Sequence, residues 1–223
     1  MLLILRLRVW IVQMIYGKYS YAYISFFKRR DLKPDVLPCL KDHYLTHFYP
    51  FYRKAKDSVM FKSRQAIQYG EFRFGCSFRE SPKGALEPDN FSVYKVDADI
   101  LSAYGFRGQS FGVKHKEVAF FLNNQFLLGE YSFSLSDKSS MPDTERIVSE
   151  LARRYQVDLG GLKSNFYIED GNDSLIYVLD TGFSFNLSYF SPTVAAISDK
   201  MEKWFEEPKL KDEEILSEDS LSL

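Results

Sequence analysis

The stretch "KEVAFFLNNQFLLGEYSFSLS" (116–136) constrains the fold more than any other part of the chain. Two apolar runs flank Asn123-Asn124, and Asn tolerates the positive φ that a tight hairpin turn demands. Beyond Gly129, Tyr131, Phe133 and Leu135 alternate with Ser132, Ser134 and Ser136. A period of two describes a strand with one buried face and one wet face. "NFYIEDGNDSLIYVLD" (165–180) reads as a second hairpin, turning at "DGND". "GFSFNLSYF" (182–190) follows, with Phe183, Phe185, Leu187 and Tyr189 set against Ser184, Asn186 and Ser188. "EFRFG" (71–75) and "FSVYKV" (91–96) are shorter strand candidates. A load of 20 Phe and 15 Tyr suits a pleated surface.

Helical patterns sit around these strands. "SSMPDTERIVSELARRYQ" (139–156) offers a Ser cap, acidic residues in its first turn and an apolar stripe of Ile147, Val148, Leu151 and Tyr155. "SPTVAAISDKMEKWFEE" (191–207) closes the ordered sequence. The first third reads as helical, including 51–69, where Phe51, Ala55 and Val59 share a face. These patterns predict an α+β fold: a mostly antiparallel sheet built from hairpins, covered on one face by helices, with a helical N-terminal third. The expected divisions are a basic helical region (1–69), a sheet domain (70–207) and an acidic mobile tail (208–223).

The opening "MLLILRLRVWIVQMIYGKYSYAYISFF" is apolar, but Arg6, Arg8 and Lys18 interrupt it. A spanning helix needs about 20 apolar residues, and the charges also break the pattern of a signal peptide. Met1 and Met14 both offer a start. "FFKRR" (26–30) joins aromatics to cations, which allows residues 1–30 to act as a peripheral membrane anchor. Two cysteines build no disulfide framework, and the expected setting is cytoplasmic.

The net charge of -1 conceals an asymmetry. Residues 1–66 hold 13 Lys+Arg against 4 Asp+Glu, and the remainder holds 16 against 26. A basic surface of this kind suits an acidic partner. The pI near 6.3 and the lack of a recognisable module argue against nucleic acid.

Chemistry-bearing residues are few. Cys39, His43 and His47 recur at four-residue steps, but a helix separates the outer two by about 12 Å, too far for one ion. They read as the border of a core-facing arc. "GFRGQSFG" (105–112) lacks the Lys-Ser/Thr of a phosphate loop, so its glycines read as a turn, with Arg107 the one side chain able to reach an anion. Asp170, Asn172 and Asp173 lack the rest of a calcium loop. Asp97 and Asp99 could hold a divalent cation, with His115 as acid or base, and that trio defines an alternative reading as a metal-dependent enzyme. The leading expectation is a non-catalytic interaction module without a cofactor. It would bind an acidic protein through Lys54, Lys56, Lys62 and Arg64.

Overall fold

The structure, a computed structural model, describes residues 2–30, 44–53, 58–81, 83–84, 86–134 and 144–206. The hairpin read from Asn123-Asn124 forms its centre: β4 (Val113–Leu122) and β5 (Gln125–Ser134) are antiparallel, with the two asparagines at φ 50° and 65°. β3 (Asp99–Ser110) joins β4 through Phe111-Gly112, and β2 (Asn90–Val96) pairs with β3. The second hairpin is also present, as β6 (Phe166–Glu169) and β7 (Leu175–Asp180), followed by β8 (Ser184–Phe190). At its turn, the Asp170 carboxylate accepts from the amides of Ile67, Asn172 and Ser174. β8 pairs with β5, so the two meanders fuse into one eight-stranded sheet of order β1-β6-β7-β8-β5-β4-β3-β2.

Two of the eight strands, β1 and β3, were not expected. β1 (Val59–Lys62) lies where the sequence suggests a continuing helix, and it pairs parallel with β6. Apolar spacing in so short a run fits either period, and the edge of β6 that decides between them lies a hundred residues away. "EFRFG" departs in the other direction. It forms turns and a single bridge from Tyr69 to Phe72, and both its rings pack on Phe126, Phe74 stacked and Phe72 tilted, instead of alternating. Gly105 and Gly108, read as part of a turn, lie inside β3.

Helices cover both faces of the sheet, not one. On the upper face, Phe121, Tyr131, Phe133 and Leu187 meet α2 (Tyr21–Lys28) and α4 (Thr144–Tyr155). The Ser20 hydroxyl caps α2 by accepting from the Tyr23 amide, and Arg153 and Arg154 suit the C-terminal dipole of α4. Ile147, Val148, Leu151 and Tyr155 of α4 are buried, as their spacing predicts. α1 (Leu2–Tyr16) packs beside α2, with Val9 and Val12 against the upper core. On the lower face, Leu101, Phe120, Leu122 and Phe190 meet α3 (Tyr49–Tyr52) and α5 (Ile197–Glu206). Alternation fills both cores because successive strand residues point to opposite faces. No helix of the described residues is long and apolar enough to cross a membrane.

Candidate functional site

The residues singled out by the sequence do not converge. Lys62 and Arg64 are exposed at the β1 edge of the sheet, while Lys54, Lys56, Cys39 and His43 lie outside the described residues. Asp97 sits in the β2–β3 turn at φ 53°. Asp99 is held by the Lys200 ammonium at 2.5 Å and by the Asn123 amide at 2.6 Å. These contacts draw its pKa down despite the opposing effect of burial. His115 pairs with Gly108, nine positions along β3 from Asp99, which places the two about 30 Å apart at a rise of roughly 3.4 Å per residue. The enzyme trio therefore shares no site. No cluster of three or more His, Cys, Asp or Glu side chains set for a metal occurs among the described residues.

His115 belongs instead to a buried group on the upper face. Its Nε2 is 3.8 Å from Glu117 Oε2, its ring packs on Tyr131 and Phe133, and Lys83 forms an ion pair with Glu117. Burial, with the Lys83 charge nearby, lowers the His115 pKa, while a weak contact with the Val113 carbonyl opposes the shift. Gly108 leaves the room: a Cβ there would stand 3.0 Å from Nε2.

His47 ends a short 3-10 turn and makes a 2.6 Å contact through Nδ1 with Glu130 Oε2 on β5. Burial pulls its pKa down, but the hydrogen bond and charge of Glu130 outweigh that, and the net shift is upward. Ser188 donates to the other carboxylate oxygen at 3.2 Å. This pair marks a border on the lower face. On one side lies the apolar core under α3 and α5. On the other, the described residues leave the sheet open.

The open half carries the most distinctive surface chemistry. Register places Arg107, Lys116, Ser132 and Asn186 in one row across β3, β4, β5 and β8. Gln109 faces Lys114, and Ser134 faces Ser184, in the next row. All of these but Asn186, together with Phe183, which is 85% exposed, line an open hollow of about 720 Å³. Arg107 and Lys116 stand directly opposite each other, an arrangement of like charges that destabilises a sheet. None of Arg107, Lys114 and Lys116 forms an ion pair with a described residue. An oxyanion placed above this row would meet cations, hydroxyls and an amide.

Arg107 was legible as an anion contact, but Lys114 and Lys116 were not read with it. The signal was present in "KHKE" (114–117), whose alternation puts both lysines on one face and His115 and Glu117 on the other. Phe183, expected on the buried face, lies one residue before β8 and projects at the rim of the hollow.

The fold and this surface define an α+β protein whose large, mostly antiparallel sheet leaves half of one face open among the described residues. No protein-family model matches the chain, and no curated protein or solved structure matches it.

Proposed function

We propose that the protein is a non-catalytic binding module for an acidic segment of a protein partner, and that the open half of the lower face is its contact surface. The observation that carries this reading is the Arg107–Lys116 cross-strand pair, two like charges held opposite each other with no anionic partner among the described residues. Carboxylates laid across the row would relieve that repulsion, and Ser132 and Asn186 would supply further hydrogen bonds. Phe183 offers an exposed ring at the rim, the residue type that anchors protein interfaces.

A second reading keeps the contact at the cations picked out from sequence. β1 is an edge strand, Val59 and Met60 are exposed on it, and Lys62 and Arg64 stand at its end. An acidic strand could extend the sheet there. β1 and β4 are five strand steps apart, about 24 Å at roughly 4.8 Å per step, so the two surfaces can be tested separately.

The test measures fluorescence anisotropy of a labelled Glu-rich peptide at low and high salt. The open-face reading expects salt-sensitive binding that Arg107→Glu/Lys114→Glu/Lys116→Glu abolishes, and that Lys54→Glu/Lys56→Glu/Lys62→Glu/Arg64→Glu leaves in place. The opposite pattern would move the contact to the β1 edge. Peptide binding unaffected by either set, or tighter binding of a single-stranded oligonucleotide than of the peptide, would sink the acidic-protein reading.

A further inference from the structure

α1 is apolar on nearly every side, a composition usually found in a helix buried all round. Its setting is different. Leu5, Val9 and Val12 are half-buried, the two valines against the upper core, while Leu7, Trp10, Ile11 and Met14 are 56%, 57%, 40% and 63% exposed. At about 100° per residue, those four exposed side chains occupy an arc of roughly 100° opposite the packed face, and Ile15 and Tyr16, 57% and 56% exposed, follow outside it at the helix end. Arg6 and Arg8 fall on either side of the arc and are both exposed. Residues 1–30 contain six cations and no Asp or Glu.

The helix is also fixed in place. Arg79 donates to the Ile15 carbonyl at 2.9 Å. Lys18 and Tyr19, just beyond the helix, both donate to Glu87, at 2.5 and 2.9 Å. The outward face is thus presented from an anchored base.

We infer that α1 is an interfacial helix that lays Leu7, Trp10, Ile11 and Met14 into the headgroup region of an anionic lipid bilayer, with Arg6 and Arg8 on the lipid phosphates. The arrangement matches what a bilayer surface requires: an apolar strip that enters the acyl boundary, an indole at the interface, and cations along both margins. A water-facing strip of four large apolar side chains has no comparable partner among the described residues. Charge selects the lipid, because anionic headgroups complement a segment that carries only positive charge.

The experiment mixes the full chain with sedimentable vesicles, either phosphatidylcholine alone or equal parts phosphatidylcholine and phosphatidylserine. The expected result is co-sedimentation with the anionic vesicles only, with Trp10 emission shifted to the blue. Trp204, the second tryptophan, is buried in the lower core and serves as an unshifted reference in a Trp10→Phe variant. Leu7→Gln/Trp10→Gln/Ile11→Gln/Met14→Gln, all at exposed positions, should release the protein from vesicles without lowering its melting temperature. Arg6→Glu/Arg8→Glu should weaken binding at least on the order of 25-fold, taking about fivefold per cation removed. If the four-residue variant fails to fold, the arginine pair decides the question. Absence of anionic-vesicle binding, equal binding to both vesicle types, or full binding by the arginine variant would each overturn the inference. Concentration-dependent dimerisation that replaces vesicle binding would do so too, by assigning the strip to a second copy of the chain.

Discussion

Along β4 the two faces of the sheet can be compared residue by residue. On the upper face Val113 is half-buried and His115, Glu117, Ala119 and Phe121 are all buried, so that face is closed from His115 to the end of the strand. On the lower face Leu122 and Phe120 are buried, Val118 is half-buried, and Lys116 and Lys114 are exposed. β5 repeats the contrast, with Tyr131 and Phe133 buried above while Ser132 is half-buried and Ser134 exposed below. Among the described residues, the same backbone thus carries one face finished for stability and another finished only as far as the His47–Glu130 border. Burial of a lysine without a partner is costly, so the composition of the open half is consistent only with water or with a ligand that brings negative charge.

The largest effect is expected on the covered side of that border. Phe120 is 2% exposed and touches the rings of His47 and Phe48. Replacing it with Ala should cost about 3–5 kcal/mol, the usual range for a buried Phe, as read by urea denaturation. A loss under about 1 kcal/mol would mean that α3 and the 3-10 turn before it are not packed on the sheet as described.

The upper face gives a smaller effect of the opposite kind. The Tyr69 ring lies flat over Gly129, and a Cβ there would stand 2.4 Å from the ring. Gly129→Ala should therefore destabilise by about 1–3 kcal/mol through overpacking, with the Tyr69 contact to the Glu130 carbonyl disturbed. Thermal unfolding measures this, and unchanged stability would show that the ring can retreat, making the upper face looser than the lower core.

How much of this was legible follows from where each signal resides. Asn123-Asn124, the Ser alternation after Gly129 and the Ile147–Tyr155 stripe are local, and each led to the right element. β1 failed because its four residues gain a strand partner only when β6 arrives. The number of covered faces failed for a related reason: near-continuous apolar runs such as "AFFL" (119–122) and "LIYVL" (175–179) already imply burial on both sides, but choosing the covering helices requires the topology. Arg107 could be flagged alone. Its row with Lys116, Ser132 and Asn186 exists only in the register of four strands.

Acidity and alkalinity probe the border itself. Because the folded-state pKa of His47 is raised above its ordinary value of 6.5, the His47–Glu130 pair contributes stability that is fully present below that value. The contribution is lost as pH rises through the higher folded-state value. Stability measured by denaturant titration on the alkaline side of 6.5 should fall with pH, and Glu130→Gln should flatten that slope. A slope unchanged in Glu130→Gln would place its origin elsewhere and remove the pair as the element that fixes the border.

The smallest stability effect, and the one that best separates the two halves, concerns Arg107. On the covered half every truncation should destabilise. On the open half, truncating one member of a like-charged cross-strand pair removes repulsion, so Arg107→Ala or Lys116→Ala should leave stability within about 0.5 kcal/mol of the parent and move it upward by a few tenths. The same substitution should weaken binding of the Glu-rich peptide. A gain in stability joined to a loss of binding is the signature of a surface whose charges are kept for a ligand. Equal losses of both would instead make Arg107 part of the structural frame, and the open half would then be an unfinished core with solvated edges.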